Sequence, residues 1–302
     1  MNRRQLLQRA GLAALALGAS RFPLGWAAPA DGAKKKILMY TRSQGFQHSV
    51  ITRGKDGKLS LAEQIVTDLG AKHNFDVVCE KDGGVFESKD FPSFDGFLFE
   101  TQGNLSAEKS LEGAPPVTAK GKQNLLDAVA DGKGFVACHC GSDTWHSPGP
   151  SNATQDRSKV DPYIAMLGGE FIVHGAQQKS NLIVADPKWP GLPTSGADGI
   201  MEEWYALKNF APDLHVILVM DTNGMKGDMY QRPPYPETWA RMHEKGRVFF
   251  TSLGHREDVW QSDFMQNLLL SGLAWTLGNV EADVTPNIDQ ATPKANELPM
   301  KK

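Results

Sequence analysis

Short apolar runs alternate with segments of helical periodicity over the first half of the chain, and this alternation restricts the fold more than any other feature of the sequence. Residues 37–40 and 135–138 are continuous apolar runs of the kind that buried parallel strands contain. Because parallel strands are joined by right-handed crossovers, the order of elements predicts an α/β fold with helices on both faces of a mostly parallel, doubly wound sheet. The predicted strands are 37–40, 75–79, 97–99 and 135–138, and the predicted helices are 59–69 and 123–130.

The second half of the chain is less regular and adds further strands and a last helix. Residues 146–159 are polar and rich in Ser, Pro and Asn, which predicts an active-site flap or a surface loop. Residues 264–277 predict an apolar helix that closes the fold. Candidate strands lie at 181–185, 203–207, 216–220 and 247–252.

The N-terminal segment has the composition of an export signal. It places Arg3 and Arg4 before an apolar run at 10–19, and the small residues of Gly25-Trp26-Ala27 offer a cleavage site. Adjacent arginines in this setting resemble a twin-arginine signal. An uncleaved membrane anchor is the alternative, but the apolar run is too short for a comfortable span. We therefore expect a signal peptide over 1–27, one domain over 28–280 and a polar C-terminal tail over 281–302.

Removal of the signal peptide makes the protein distinctly acidic. The chain has 32 Lys and Arg against 35 Asp and Glu; residues 1–27 hold four arginines and no acidic residue, so 28 basic residues remain against 35 and the net charge falls from −3 to −7. This charge offers no attraction to nucleic acid or anionic lipid. We expect a small-molecule ligand, a periplasmic or other extracytoplasmic location, and no stable membrane span after cleavage.

The three cysteines do not form a disulfide framework. Cys138 and Cys140 are two residues apart in the sequence, where side chains of one strand share a face but rarely reach disulfide geometry. Cys79 belongs to a different predicted strand. We therefore expect free thiols.

Histidines follow three of the predicted strands near their carboxyl ends. His48 comes after the first strand, His139 directly after the fourth and His255 after the last. In open α/β sheets ligands bind beyond these strand ends, so we expect the three side chains to meet at one rim. A hydrogen-bonded structural role is the alternative for each histidine taken alone.

The densest candidate segment is Ala137-Cys138-His139-Cys140-Gly141. Small residues on either side of its centre favour a sharp strand-to-helix turn like a nucleophile elbow, with His139 at the apex. An imidazole there could serve as general base, nucleophile or metal ligand. A thiol nucleophile at Cys138 is the alternative, but it would place Val136 where the turn needs a small residue.

A second group of candidate residues lies further along the chain. His174 ends a short extended piece after a Gly-Gly break, and Glu203 begins a predicted strand. With His139 and His255 they could form a mixed histidine and carboxylate site for a divalent metal ion, or a histidine and glutamate could act as an acid/base pair. A hydrogen-bonded polar pocket without metal is the alternative, since the spacing matches no compact metal motif.

Aromatic residues indicate the class of ligand. Exposed aromatic rings can stack on sugar rings while nearby polar groups bind hydroxyls, and core packing is the alternative for each ring. The candidates in loops or at strand ends are Phe46, Trp145, Tyr205, Tyr235 and Trp239.

The ordered set of these segments resembles the ThuA-like (trehalose utilisation) family, a branch of the class I glutamine amidotransferase-like superfamily. The resemblance spans nearly the whole mature domain and rests on six motifs in the same order. They are GFQHS (45–49), GFVACH (134–139) with SDT (142–144), GGEFIVH (168–174), EEWY (202–205), PETW (236–239) and GRVFF (246–250) through LGH (253–255).

This resemblance implies a flavodoxin-like three-layer fold and a role in carbohydrate metabolism, with trehalose-like disaccharides or their 3-keto derivatives handled alongside a sugar dehydrogenase. It does not imply glutamine hydrolysis, because amidotransferases place a cysteine at the elbow apex where this chain has His139. Cysteines on both sides of that histidine depart from the family pattern and leave a thiol-dependent variant open.

Our leading hypothesis is an exported enzyme that acts on a sugar or a 3-keto-glycoside by acid/base or metal-assisted chemistry. His139 would be base or ligand, Asp143 would orient a hydroxyl or the imidazole, and His174 with Glu203 would complete the proton-transfer or metal site. A non-catalytic sugar-binding protein that supports a periplasmic sugar dehydrogenase is the main alternative, and a thiol hydrolase that uses Cys138 or Cys140 is a third. The expected substrate-binding residues are Phe46, His48, Tyr205, Trp239 and His255.

Overall fold

A mixed sheet of eight strands forms the centre of the structure, a computed structural model that describes residues 34–299. The predicted export signal lies outside the described residues. The described residues contain twelve strands: β1 (Lys35–Tyr40), β2 (Phe75–Glu80), β3 (Gly96–Phe99), β4 (Gly134–Cys138), β5 (Glu170–His174), β6 (Gln178–Ser180), β7 (Leu182–Val184), β8 (Ile200–Glu202), β9 (Tyr205–Lys208), β10 (His215–Met220), β11 (Tyr235–His243) and β12 (Gly246–Thr251).

The order of strands in the large sheet is β2-β1-β3-β4-β12-β11-β10-β7. The first five of these strands pair in parallel, and the remaining pairs are antiparallel. Two small antiparallel pairs, β5 with β9 and β6 with β8, complete the strands. This arrangement confirms the predicted α/β fold with a mostly parallel sheet.

Local sequence signals explain where the helices begin and how closely they pack. The first helix, α1, starts at a capping box in which Ser60 accepts from the Glu63 N–H while the Glu63 carboxylate accepts from the Ser60 N–H. The closing helix, α5, packs on β12, where a Cβ at Gly272 would lie 2.5 Å from the Phe249 ring, so glycine permits this approach. The helices are α1 (Leu61–His73), α2 (Ala119–Ala130), α3 (Pro162–Leu167), α4 (Glu257–Trp260), α5 (Asp263–Thr276) and α6 (Ile288–Ala291).

Several strands of the second half differ from the prediction. The segment 203–207 is not one strand, because β8 ends at Glu202 and β9 begins at Tyr205. Strand β5 corresponds to the short extended piece expected to end at His174, whereas β6, β8 and β11 were not predicted. The first seven residues of β11 are all buried, but Pro236 and the charged residues after it are unusual in a buried strand, so the sequence pattern does not indicate one.

Residues 281–299, the part of the predicted C-terminal tail that the structure describes, pack on the domain. Asn287 accepts a hydrogen bond from the Val216 N–H (2.6 Å) and donates one to the Val216 carbonyl (3.1 Å). Ile288 and Ala295 are buried, and Arg232 donates to the Ala295 carbonyl. These contacts fasten the polar segment to the edge of β10.

Three further expectations can be compared with the structure. Cys79, Cys138 and Cys140 are free thiols, as predicted. Within residues 34–299, no helix has both the length and the apolar character needed to cross a membrane. Residues 146–156 of the flap or loop predicted over 146–159 contain no helix or strand, whereas Arg157–Lys159 form a short 3-10 helix.

Candidate functional site

Four side chains from separate parts of the chain meet at the carboxyl edge of the sheet. His48 lies in the loop after β1, His139 directly follows β4, His255 follows β12, and Glu203 lies between β8 and β9. One ligand atom from each of these residues lies within 4.8 Å of those of the others. The rule that ligands bind beyond the carboxyl ends of parallel strands therefore located three of the four.

The turn that presents His139 depends on small neighbours. The backbone of His139 has φ of +41°, in the left-handed region, and a 3-10 helix over His139–Asp143 follows β4. A Cβ at Gly141 would lie 2.8 Å from the Ala137 Cβ, closer than real Cβ contacts allow. Glycine at this position lets the chain turn sharply and raise the imidazole above the end of the strand.

The tautomer of His139 is set by the neighbouring strand. Its Nδ1 lies 2.9 Å from the Ser252 carbonyl, which can only accept, so Nδ1 carries the proton and Nε2 presents a lone pair. The Tyr205 ring packs against the imidazole with centroids 4.0 Å apart and fixes its plane. Histidine ligands of metals are typically oriented by a partner of this kind on the other ring nitrogen.

His48 is a buried imidazole with two unsatisfied nitrogens. Its side chain is 2% exposed, and among residues 34–299 neither Nδ1 nor Nε2 has a hydrogen-bond partner. Burial, together with the nearby His139 and His255, lowers the pKa of His48 to about 2, so the ring is neutral. An unsatisfied buried polar atom costs about 1–3 kcal/mol, and a cation would remove that cost.

Glu203 supplies the negative charge at the centre of the cluster. Burial opposes ionisation of its carboxyl group, but the close contacts with the His139 and His255 imidazoles hold its pKa well below the ordinary value. The Oε2 atom lies 3.1 Å from His255 Nδ1 and 3.6 Å from His139 Nε2, yet neither nitrogen makes a well-directed hydrogen bond within the described residues. Although burial lowers the pKa of His255, pairing with this carboxylate raises it overall.

The donor set fits a divalent metal ion. Each of the three histidines has at least one buried nitrogen without a hydrogen-bond partner among the described residues, and a carboxylate lies among them. Three imidazole nitrogens and one carboxylate oxygen suit zinc or a neighbouring first-row metal. The predicted metal site contained His174, whereas the structure has His48 as the fourth candidate ligand beside His139, Glu203 and His255.

His174 lies on the outer side of the cluster. Its side chain is 44% exposed, and its Nδ1 lies 3.2 Å from Glu203 Oε1. His139 and His255 contact the other carboxylate oxygen, Oε2. The same nitrogen is 3.1 Å from the Gly175 carbonyl. This leaves Nε2 as the proton acceptor of the ring.

Asp143 does not orient His139, and that part of the prediction is wrong. One carboxylate oxygen pairs with His146 Nε2, and the other accepts from Gln102 Nε2 at 2.7 Å. His146 Nδ1 in turn lies 3.1 Å from Glu170 Oε1. Burial alone would lower the pKa of His146, but the two carboxylates raise it to about 9. His146 was not among the predicted site residues, although it lies three residues after Asp143 at the start of the polar loop.

Trp239 is a core residue, and its predicted role in substrate binding is wrong. Its side chain is fully buried in β11, its indole N–H donates to the Leu167 carbonyl at 2.9 Å, and its ring packs on Phe250 with centroids 4.4 Å apart. Tyr235 and Trp145 are buried as well. Core packing, the alternative considered for these aromatic rings, accounts for all three.

Phe46 is the exposed aromatic residue beside the cluster. Its side chain is 56% exposed, and its ring meets His48 edge to face with centroids 4.9 Å apart. The Gln102 side-chain oxygen accepts from the backbone N–H groups of Gly45 (2.8 Å) and Phe46 (2.7 Å). The loop that carries Phe46 is therefore held in place at the mouth of the site, where the ring is free to contact a ligand.

Comparisons with known proteins agree with this architecture. The family model described as ThuA, trehalose utilisation, matches residues 36–276. A ThuA-like protein from Bacteroides uniformis has a similar fold, with a TM-score of 0.57 at 16% identity, covering 83% of this chain and 95% of that one. A ThuA-like protein from Parabacteroides merdae gives 0.54 at 16% identity, covering 89% and 98%. No curated protein matches the sequence.

Proposed function

The chain belongs to the ThuA (trehalose utilisation) family, and we propose that it is an exported, metal-dependent enzyme that acts on a sugar or a 3-keto-glycoside. The metal would be a divalent ion held by His48, His139, Glu203 and His255. The observation that carries the proposal is the ring of buried histidine nitrogens without hydrogen-bond partners in the described chain, gathered around an ionised carboxylate. These nitrogens are buried and lie close together, so an ion can pair with them where a sugar ring cannot enter.

The residues around the site support proton transfer next to a carbonyl group. A divalent ion held there would supply a Lewis acid that polarises a keto oxygen. His174, half exposed and anchored to Glu203 through Nδ1, has Nε2 available to accept a proton from the neighbouring carbon. The exposed ring of Phe46 offers a stacking surface for the sugar.

This arrangement suits elimination from a 3-keto-glycoside. The C2 proton would pass to His174, the C2–H electron pair would form the C1=C2 double bond, and the C1–O pair would leave with the glycosidic oxygen, which takes up a proton. A sugar dehydrogenase that oxidises the 3-hydroxyl would supply such a substrate. Glutamine hydrolysis has no support here, because the elbow presents an imidazole in place of a thiol.

A metal-loading and turnover experiment tests the proposal. We expect the mature chain to bind zinc or cobalt, to cleave a 3-keto-glycoside and to lose that activity to a chelator. The His139→Ala variant should lose tight metal binding, and the His174→Gln variant should bind metal but lose about 10²–10⁴-fold in kcat. His243→Ala, at the β11–β12 turn, is the matched control. Sugar binding by calorimetry without turnover, whatever the metal, would favour an accessory protein instead.

Export is a separate part of the proposal and rests on the sequence of residues 1–27. The pair Arg3-Arg4 before the apolar run at 10–19 supports a twin-arginine signal. We expect the intact chain to reach the periplasm and a double Arg3→Lys, Arg4→Lys variant to remain in the cytoplasm. Equal amounts of both proteins in the periplasmic fraction would contradict this route.

A further inference from the structure

A buried carboxyl group with two thiols lies beside the histidine cluster and has no part in the proposed function. Glu100 follows β3, and its two oxygens accept from the thiols of Cys138 (2.8 Å) and Cys140 (3.2 Å). All three side chains are fully buried. Burial raises the pKa of Glu100 to about 8 and holds the pKa of both thiols well above the ordinary value. Together with His48, the Glu100 carboxyl group and the two thiols form a buried cluster of side chains that can each bind a metal ion.

His48 connects this group to the histidine cluster. One ligand atom each of His48, Glu100 and Cys140 lies within 4.8 Å of the other two. Both nitrogens of His48 are buried and without a partner among the described residues, and a single metal ion can satisfy only one of them. The other nitrogen would stay unpaired, at a cost that native proteins rarely retain.

We propose that Glu100, Cys140 and His48 form a second metal position, selective for a thiophilic divalent ion such as zinc, so that the site holds two ions that share His48. This inference rests on the proposed function only through that shared ligand. Thiolate ligands select zinc and similar ions over magnesium or calcium, and cysteine, histidine and glutamate side chains are each zinc ligands. Cys138 keeps its hydrogen bond to Glu100 and orients the carboxylate.

The charges and protons balance without a redox step. The ion displaces the thiol proton of Cys140 and any proton on Glu100, and these protons pass to solvent. One thiolate and one carboxylate then neutralise a divalent charge, which makes a fully buried site tolerable. If the two ions took different nitrogens of His48, its remaining N–H proton would also pass to solvent.

Cobalt titration of the mature chain tests this inference, because Co²⁺ replaces zinc and reports its ligands by absorption. Under anaerobic, reducing conditions we expect two equivalents of Co²⁺ per chain, one of them with a sulfur-to-cobalt charge-transfer band in the near ultraviolet. Cys140→Ala should lose this band and one equivalent. The matched control is Cys79→Ala, which removes a thiol that lies 3.8 Å from the Thr67 hydroxyl in a different part of the fold and should keep both.

The outcomes separate this inference from the proposed function. His139→Ala should lose the equivalent without the sulfur band and keep the other. Binding of one equivalent with no sulfur band in the unmodified chain would refute the second position and leave the first intact. A sulfur band that persists in Cys140→Ala would also refute the assignment. If Cys140→Ala fails to fold by circular dichroism, the spectrum of the unmodified chain and elemental analysis of Cys140→Ser decide the question.

Discussion

Gly141→Ala tests whether the elbow under His139 depends on the contact between two small residues. The backbone of Gly141 is outside the left-handed region, so alanine can adopt its conformation. The added Cβ would lie 2.8 Å from the Ala137 Cβ and 3.4 Å from the Phe99 carbonyl. Both neighbours belong to buried strands of the central sheet and cannot move aside cheaply. The substitution should therefore strain the turn that carries His139.

The expected magnitude follows from overpacking a rigid, fully buried position. Inserting one methyl group where the core has no room costs about 1–3 kcal/mol. Ala137→Gly alone loses about 0.8 kcal/mol of methyl burial and about 0.5–1 kcal/mol for the flexibility of glycine in a strand. In the Ala137→Gly background the methyl group at position 141 enters the space just vacated, so its cost should fall to about zero. The coupling free energy is therefore about 1–3 kcal/mol.

Urea unfolding of the four proteins in this cycle measures the coupling, and cobalt affinity reports the position of His139. We expect Gly141→Ala to lower the unfolding midpoint and weaken Co²⁺ binding, and the double variant to match Ala137→Gly in stability. An equal cost of Gly141→Ala in both backgrounds would refute the contact as its cause. Unchanged stability in Gly141→Ala alone would refute the elbow argument itself.

The remaining predictions concern the burial and charge of single residues. His48→Phe should abolish cobalt binding, yet leave the metal-free protein as stable or more stable in urea, because it removes two unsatisfied buried nitrogens. Folding raises the pKa of His146 from its ordinary value near 6.5 to about 9. The protonated ring therefore stabilises the folded protein fully below about pH 6.5, and this stabilisation is lost as the pH rises through about 9. His146→Gln should therefore flatten the profile of melting temperature against pH over that window. Phe46→Ala should leave stability within about 0.5 kcal/mol and weaken sugar binding, whereas Trp239→Ala should cost about 3–5 kcal/mol in urea unfolding.

The sequence predicted those parts of the structure that depend on local pattern and on strand direction. Continuous apolar runs marked β1 and β4, and the end of each parallel strand located His48, His139 and His255 at one rim. Whether His48 or His174 joins His139, Glu203 and His255 as a metal ligand depends on which imidazole points into the cluster. That orientation follows from loop packing across β1, β5 and β9, which no local pattern encodes.

The errors have physical causes of the same kind. Pro236 lies beside an irregular stretch of the β10–β11 pairing and concealed a buried strand, so Trp239 was assigned to an exposed position. Asp143 closes the 3-10 turn after β4, and this turn carries its carboxylate towards Gln102 and His146 and away from His139. Both cases required knowledge of how distant segments pack.

The elbow determines which side chains reach the histidine cluster. A sharp turn after β4 raises whatever side chain occupies position 139 to the rim of the sheet. A thiol there would need a base to become a nucleophile, but His139 already has Nδ1 held by the Ser252 carbonyl on the neighbouring chain segment, so its Nε2 lone pair is fixed in direction. Cys138 and Cys140, on either side of His139, instead donate hydrogen bonds from their thiols to the buried Glu100 carboxyl group. One turn therefore directs the His139 imidazole to the histidine cluster and the two flanking thiols to Glu100, and His48 lies within 4.8 Å of ligand atoms in both groups.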